Sequence, residues 1–219
     1  MTNVLLEVNR FSKSFQNHIL LENISLQIHP GEICALVGQN GIGKTVFLKC
    51  ILGFEAFEDG HVSIAGHPLA ERESVRRLTA FIPSDGYDIC DLLTPEEYFE
   101  FIMTVYQLSQ TDTLPLIQEL VSRLGVESHL KQLIKELSFG TKKKVLLLGT
   151  ILYDPMLIVC DEIFEGLDQT SVATVIEIFQ ERAMNKRAVL FTTHLYHLVE
   201  SVATTVYRVE NNQISLVGK

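Results

Sequence analysis

The chain has 219 residues, of which 47% are hydrophobic and 21% are charged, and its formal net charge is −9. A chain of this length and apolar content can bury one large core, so we expect a single globular domain. Because an excess of acidic side chains repels a phosphate backbone, we expect no nucleic acid as a general partner.

No stretch of the sequence is long and apolar enough to cross a bilayer. The run Val145–Leu152 is among the longest, and it is far shorter than the roughly 20 residues of a spanning helix. The N-terminal segment, MTNVLLEVNR, contains an acid and no cleavage site, so a secretory signal is not expected. These features predict a cytoplasmic protein that would need another chain to hold it at a membrane.

The four cysteines predict buried thiols rather than a disulfide framework or a metal site. None of them forms a CxxC pair, and Cys34 and Cys160 lie inside apolar, strand-like runs. Free cysteine behaves as a small hydrophobic residue in a reducing compartment.

The first third of the chain alternates predicted strands with one glycine-rich loop. Alternation of apolar and polar residues predicts half-buried antiparallel strands, and a continuous apolar run predicts a strand buried on both faces. A helix is predicted over Lys44–Leu52, ended by Gly53. The predicted strands are Val4–Phe15, Ile24–Ile28, Ile33–Val37 and His61–Ile64.

The middle of the chain, residues 94–137, has a helical pattern. Thr94-Pro95-Glu96-Glu97 predicts a helix start, because it combines an N-cap, a proline at the first position and acids in the first turn. Pro115 and Gly125 are expected to interrupt the helices that follow. A long apolar helix is predicted from Ser138 to about Leu152.

The last third returns to short strands and one more helix. The helix is predicted over Ser171–Met184, and Asn211-Asn212 is a turn signal between two strands. The predicted strands are Met156–Cys160, Ala188–Thr192, Val206–Val209 and Ile214–Val217. Buried strands that alternate with helices predict an α/β fold with a parallel-sheet core. We expect the core at about 1–84 and 138–219, and a helical subdomain at about 85–137.

The strongest functional motif is GQNGIGKT at Gly38–Thr45, which fits the phosphate-binding pattern G-x-x-x-x-G-K-[ST]. Glycines let backbone N–H groups approach phosphate oxygens, and the following helix presents its positive end to the same anion. Lys44 is expected to reach the β- and γ-phosphates, and the Thr45 hydroxyl to ligate Mg²⁺. The expected ATP contacts are Gly38, Gln39, Asn40, Gly41, Ile42, Gly43, Lys44, Thr45 and Val46.

Two adjacent carboxylates, Asp161 and Glu162, end the predicted strand LIVC. An acid after a strand is often only a loop residue, but beside a phosphate loop the pair indicates metal-assisted chemistry. Asp161 is then expected to hold Mg²⁺, and Glu162 to polarise an attacking water as general base.

With these motifs in this order, the whole chain resembles the nucleotide-binding subunit of an ATP-binding cassette (ABC) transporter. Leu137-Ser138-Phe139-Gly140-Thr141 stands where that family has its LSGGQ signature. The resemblance implies a P-loop NTPase fold with a RecA-like core, an antiparallel β subdomain and a helical subdomain. It also implies head-to-tail pairing with a second ATP-binding subunit, in which Ser138 and Gly140 would face the other subunit's γ-phosphate.

The signature departs from the family pattern at Phe139 and Thr141, and Lys142-Lys143-Lys144 follows. Cations in a first helical turn oppose the helix dipole, and a nearby triphosphate would offset that effect. The alternative is that the three lysines form a solvated basic face.

Other site residues follow from the resemblance. Phe15 stands in the place of the aromatic residue that stacks on adenine, although it could be a core phenylalanine instead. Asp168 resembles the D-loop aspartate, and His194 the switch histidine that contacts the γ-phosphate, although a lone histidine is often structural. Ser84 occupies the position of the Q-loop glutamine, where a shorter side chain weakens the expectation of a metal contact.

The resemblance further implies a separate membrane permease and a location on the inner face of the cell membrane. The lysine-rich signature and the segment LTPEEYFEFIMTVYQL are similar to the exporter branch for antibiotics and peptides. The permease is expected at a groove beyond Ser84, lined by Tyr87, Ile89, Leu92 and Leu93; these residues could instead pack the helical section.

Two other functions stay open at the level of sequence. One is a soluble regulatory ATPase of the ABC type, which the lack of basic extensions or a second cassette disfavours. The other is a module that binds ATP with little turnover, which the altered signature and Ser84 would permit. The transported substrate and the choice between a homodimer and a heterodimer are not readable from the sequence.

Overall fold

The computed structural model describes residues 4–16, 18–85, 90–194 and 196–218. The described residues group into two compact units. Unit 1 comprises the chain up to Phe81, Met156–Glu162 and the chain from Phe179 onward. Unit 2 comprises Ile82–Pro155 and Ile163–Ile178. The division expected from the sequence, at about 84 and 138, stays a prediction.

Unit 1 is built on a largely parallel six-stranded sheet. Among the strand pairs whose direction is described, only the pair nearest the C-terminus is antiparallel. The strands are β3 (Ile33–Val37), β6 (Thr79–Ile82), β7 (Leu157–Cys160), β8 (Ala188–Thr193), β9 (Thr205–Glu210) and β10 (Gln213–Gly218). Their order across the sheet is β10-β9-β3-β8-β7-β6. Continuous apolar runs make β3, β7 and β8 buried along their whole length, as the sequence predicts.

A second sheet in unit 1 contains four strands: β1 (Leu6–Phe15), β2 (His18–Ile28), β4 (Asp59–Ile64) and β5 (His67–Pro68). It is antiparallel, and its order is β2-β1-β4-β5. Its strands alternate buried and exposed residues, which is typical of a sheet with one face on the core. Strand β2 begins six residues earlier than the predicted start at Ile24. The two-residue strand β5 was not predicted.

The core of unit 1 contains side chains of both sheets and of helix α1 (Lys44–Ile51). Phe11 of β1 and Phe47 of α1 pack edge to face, with ring centroids 5.3 Å apart. Aromatic pairs in this arrangement stabilise a core beyond the area they bury. This packing holds α1 in place, with its N-terminus at the loop that follows β3.

The β9–β10 hairpin turns at Asn211 and Asn212, as predicted. Both residues have positive φ, 49° and 61°, as a two-residue turn of type I′ requires. The Asn212 side chain also donates to the Ile19 carbonyl oxygen (2.6 Å), which attaches the turn to β2.

Unit 2 contains the helices α3 (Pro95–Tyr106), α4 (Gln110–Leu124) and α5 (Phe139–Leu152), and most of α6 (Gln169–Met184). The predicted start of α3 is confirmed: Thr94 and Glu97 form a reciprocal capping box. Gly125, with φ 62°, ends α4 as expected. The expected interruption at Pro115 is wrong, because α4 continues through it. The proline removes one intrahelical donor, while buried residues further along the helix hold it on the core.

Two short helices of unit 1 were not predicted, α2 (Arg72–Leu78) and α7 (Tyr196–Val202). Each is seven residues long, so neither carries enough turns to show a helical period clearly. Over the part of the chain that the structure describes, no helix combines the length and apolar character needed to span a membrane. The four cysteines are buried, as predicted.

Candidate functional site

Three neighbouring parallel strands of unit 1 end at the predicted chemical motifs. The phosphate-binding loop begins at Gly38 after β3, Asp161 and Glu162 follow β7, and His194 follows β8. Because β8 pairs in parallel with both β3 and β7, their carboxyl ends share one edge of the sheet. Ligands of open α/β sheets bind at this edge.

The loop between β3 and α1 is shaped by glycines. Gly41 and Gly43 have φ of 77° and 106°, a region that side chains rarely adopt. A methyl group at Gly43 would lie 2.8 Å from Leu20, so only glycine fits there. Among the described residues other than its two chain neighbours, none has an atom within 4 Å of a methyl group built at Gly41. The loop is therefore tight toward the protein at Gly43 and open at Gly41.

The Lys44 ammonium group lies inside this loop. It donates to the carbonyl oxygens of Gly38 (2.9 Å) and Gln39 (3.1 Å). The residue is 6% exposed and is the first residue of α1, where the helix dipole is positive. The loop thus gathers one buried positive charge and a helix N-terminus, which together favour an anion.

Asp161 is buried, and each of its carboxylate oxygens accepts a hydrogen bond from a threonine hydroxyl. Thr45 donates to Oδ2 (2.6 Å), and Thr192 donates to Oδ1 (2.5 Å). Thr45 and Asp161 are the two predicted Mg²⁺ ligands of unit 1, and the structure brings them together. Thr192 was not predicted, because nothing in the run AVLFTT distinguishes a threonine that bonds a carboxylate from one that only fills a strand.

Glu162, Lys44 and His194 form a second group beside the first. One oxygen of Glu162 lies 3.9 Å from the Lys44 Nζ atom, and the other lies 3.0 Å from Nδ1 of His194. Glu162 has φ 50°, an uncommon conformation for a residue other than glycine. Its side chain is only 15% exposed, whereas that of His194 is 42% exposed. The three residues predicted to be catalytic therefore meet at one place.

Phe15 lies at the end of β1 and is 49% exposed. The alternative of a core phenylalanine is therefore wrong. The Lys13 ammonium group lies 4.8 Å from the centre of the Phe15 ring, within the range of a cation–π contact. Phe15 therefore lies on the surface of unit 1.

The signature segment in unit 2 packs tightly against the segment that follows Glu162. Ser138 is the N-cap of α5, and its hydroxyl accepts from the Thr141 amide (3.2 Å). A methyl group at Gly140 would lie 2.2 Å from the Gly166 carbonyl oxygen. One at Gly166 would lie 2.8 Å from the Phe139 ring. Glycine at 140 and 166 is thus required by packing between the two segments.

The three lysines after the signature do not form a solvated basic face. Lys142 is 3.2 Å from Asp91, and Lys144 donates to the Ser171 hydroxyl (3.3 Å). Lys143 is only 1% exposed; it lies 4.1 Å from the centre of the Phe139 ring and donates to the Glu165 carbonyl oxygen (3.2 Å). Each lysine ammonium group therefore contacts a partner within unit 2.

Asp168 caps helix α6. Its carboxylate accepts from the Ser171 amide (2.8 Å) and from the Ser171 hydroxyl (3.0 Å). The amide hydrogen bond is the main reason that the pKa of Asp168 is lowered, and the hydroxyl adds to it. This capping role was not expected, although Asp-x-x-Ser before a helix is a signal that could have shown it.

Comparison with known proteins agrees with the geometry. The family described as "ABC transporter" matches residues 21–165, well over half of the chain. The chain belongs to the ABC transporter family. It is an ATP-binding subunit of that family, with the α/β fold of an ABC ATPase. ABC ATP-binding proteins bind ATP, and membership of the family implies ATPase activity.

Two curated relatives illustrate the range of this ABC family. The "SkfA peptide export ATP-binding protein SkfE" of Bacillus subtilis is 29% identical over 210 residues, which is 96% of this chain and 87% of the relative. The "Methionine import ATP-binding protein MetN" of Clostridium tetani is 22% identical over 222 residues, which is 98% of this chain and 69% of the relative. The relatives thus include proteins named for export and for import.

Solved structures of ABC ATP-binding proteins have the same fold. The "Structure of ATP binding subunit of ABC transporter" superimposes with a TM-score of 0.91 at 29% identity, over 98% of this chain and 90% of that one. CbiO1 of Clostridium perfringens, described as part of the complex cbiONQ, superimposes with a TM-score of 0.82 at 20% identity, over 99% of this chain and 88% of that one. At that identity the second likeness speaks for the fold alone.

Further predicted positions of this ABC subunit fall between residues 84 and 93 of the sequence. Ser84 follows β6 and is partly buried, and its role as a metal ligand stays a prediction. Tyr87 and Ile89 lie outside the described residues. Leu92 is 71% exposed, so it does not pack the helical section, whereas Leu93 is half-buried.

The residues in unit 1 fit ATP and Mg²⁺ on structural grounds. The loop is open at Gly41, and it places a buried lysine at a helix N-terminus, as a phosphate requires. The hydroxyl of Thr45 and the carboxylate of Asp161 are oxygen donors in contact with each other, the type of ligand that Mg²⁺ prefers.

Proposed function

We propose that this chain binds Mg-ATP at Gly38–Val46 and hydrolyses it. The observation that carries this proposal is the meeting of Lys44, Glu162 and His194 beside the Thr45–Asp161 pair. Bound Mg²⁺ would neutralise charge that develops on the phosphates. Thr45 and Asp161 would hold that ion, with Ser84 as a further predicted ligand.

The roles of the other residues follow from their chemistry. Glu162 acts as general base toward the attacking water, since one of its oxygens is oriented by His194 and the other faces Lys44. Lys44 stabilises the phosphates through its charge, and His194 orders the water and the γ-phosphate. Exposed Phe15 stacks on adenine.

We further propose that two such subunits pair head to tail and that their cycle moves a separate membrane permease. Ser138, Gly140 and Asp168 would then reach the nucleotide of the other subunit. The location is the inner face of the cell membrane, through the permease. The names of relatives support transport, and both export and import occur among them; we propose export, as the SkfE name and the lysine-rich signature favour.

A trapping experiment tests catalysis and pairing together. Glu162→Gln keeps the shape of the side chain but removes its basicity, so ATP binds and is not hydrolysed. We expect this variant to elute as a dimer in size-exclusion chromatography with Mg-ATP and as a monomer with ADP. Glu127→Gln, which removes an exposed carboxylate of unit 2, should hydrolyse ATP like the wild type. A monomeric Glu162→Gln protein at saturating Mg-ATP contradicts pairing.

Export is tested separately in proteoliposomes with the permease that co-purifies with the chain. Movement of cargo away from the side that holds the ATP-binding subunit supports export, and movement toward it supports import. Co-purification with RNA or DNA in place of a membrane protein would favour a regulatory ATPase.

One observation favours a second candidate, a module that binds ATP with little turnover. Phe139 and Thr141 alter the signature, and Ser84 is shorter than the glutamine it replaces. A phosphate-release assay with Lys44→Ala as a blank decides between the two. Turnover at the level of the blank, in the presence of the permease, would establish the second candidate.

A further inference from the structure

Thr192, in unit 1, contacts both acidic residues of the site. It lies one residue before the end of β8 and is 0% exposed. Its hydroxyl donates to Oδ1 of Asp161 (2.5 Å) and accepts from the Glu162 amide (2.9 Å). A single buried hydroxyl therefore bonds the side chain of one acid and the backbone of the next.

The hydrogen-bonding capacity of a hydroxyl decides how this arrangement works. A hydroxyl has one proton, and here Asp161 receives it. The distance lies within the range of ordinary O–H···O hydrogen bonds. The Glu162 amide, which donates to the same oxygen, polarises the hydroxyl and strengthens that bond.

Two separate consequences follow for the site. Asp161 has one oxygen held by Thr192 and the other by Thr45, so its carboxylate cannot rotate without breaking a buried hydrogen bond. Glu162 leaves the sheet with φ 50°, and the Thr192 hydroxyl holds the amide at that uncommon conformation. The backbone pairing of β7 with β8 ends at Cys160 and Phe191. The Thr192 hydroxyl bonds the two residues that follow β7, so it links the two segments beyond the end of that pairing.

We propose that Thr192 is a positioning residue, which orients Asp161 and Glu162 for Mg-ATP hydrolysis. The inference rests on the proposed function of this site. Thr192 acts through the two acids, to which its hydroxyl is bonded. Its loss should therefore weaken metal-dependent steps and leave the loop's own affinity for nucleotide unchanged.

The test uses three single variants of the full chain. Thr192→Val removes the hydroxyl at nearly constant shape, and Thr192→Ser keeps the hydroxyl and removes a methyl group. Thr205→Val is the matched control: Thr205 is a buried strand threonine of the same sheet whose hydroxyl bonds Glu32 (3.4 Å). It pairs with Cys34 near the start of β3, at the end away from the phosphate-binding loop.

The main readout is binding of a fluorescent ATP analogue, measured in EDTA and during a Mg²⁺ titration. We expect Thr192→Val to bind the analogue like the wild type in EDTA. Its Mg²⁺ midpoint should rise by about tenfold or more, as is common when a group that orients a metal ligand is lost. Thr192→Ser and Thr205→Val should keep the wild-type midpoint, and turnover should follow the same order.

A second readout does not depend on nucleotide or on any variant. The Glu162 amide of the wild type should exchange its proton slowly, because it donates to a buried hydroxyl. Exchange as fast as that of an exposed amide overturns the inference. So does a wild-type Mg²⁺ midpoint in Thr192→Val, or a Thr192→Ser variant as impaired as Thr192→Val. If the wild type itself binds no Mg-nucleotide, the proposed function fails instead, and the slow exchange of Glu162 is unaffected.

Discussion

Replacing Gly140 by alanine tests whether the signature segment depends on contact with Gly166. The added methyl group would lie 2.2 Å from the Gly166 carbonyl oxygen and 3.0 Å from its carbonyl carbon, whereas ordinary contacts begin at 3.4 Å. Both atoms belong to the backbone, so no side-chain rotation relieves the overlap. One of the two segments must move.

The expected loss of stability combines two opposing effects. Overpacking of this kind costs about 1–3 kcal/mol, and a backbone clash belongs at the upper end. Alanine is a better helix former than glycine by about 1 kcal/mol, which offsets part of the loss because Gly140 lies in the first turn of α5. A net loss of about 2 kcal/mol lowers Tm by roughly 4–8 °C in a chain of this size.

Thermal unfolding followed by circular dichroism measures the effect. Gly218→Ala is the control, because its methyl group would meet Val206 at an ordinary 3.8 Å; its Tm should stay within about 2 °C of the wild type. Hydrogen exchange should also accelerate near Gly166 in Gly140→Ala. A Tm equal to that of the control, with unchanged exchange at Gly166, would refute the reasoning.

Two further predictions concern helix caps of unit 2. Thr94→Ala removes the capping box of α3 and should cost about 1 kcal/mol, seen as a Tm lower by roughly 2–4 °C. Asp168→Asn should make stability less dependent on pH, since folding lowers the pKa of this carboxyl. The stabilisation by ionised Asp168 is fully present above its unfolded pKa and is lost as pH falls through the lowered folded value. The Tm difference between wild type and Asp168→Asn, measured at successive pH values from 7 to 3, should shrink below about pH 4; a constant difference contradicts the assignment.

The sequence predicts the parts of the site whose chemistry is contiguous along the chain. The phosphate-binding loop needs glycines and a lysine at fixed spacing, and Asp161 and Glu162 follow a run of buried strand residues. Such local patterns also predict the main buried strands and the start of α3. The short helices α2 and α7 have too few turns to show a helical period. Helix α4 continues through Pro115, because buried residues further along the helix hold it in place.

Contacts between distant residues escape this kind of prediction. Thr192 bonds Asp161 across 31 positions, and its neighbours in the chain are apolar or threonine. Asp168 illustrates the opposite case, since its capping partner is three residues away and a local signal was present. The difference is physical: a cap is made by the chain near itself, whereas Thr192 has a partner only after β7 and β8 have paired.

Phe139 shows how a departure from a family pattern can be absorbed by its surroundings. A ring in place of the first signature glycine adds bulk to a segment that packs against Gly166. The ring lies against Gly166, which has no side chain, and under the ammonium group of Lys143, which is itself buried. Lys143 then donates to the Glu165 carbonyl oxygen, so one cation joins the altered signature to the segment that follows Glu162. Phe139 and Lys143 are therefore best understood as a pair. The Phe139 ring faces the buried ammonium group, and that ammonium group lies over the ring that replaces the glycine.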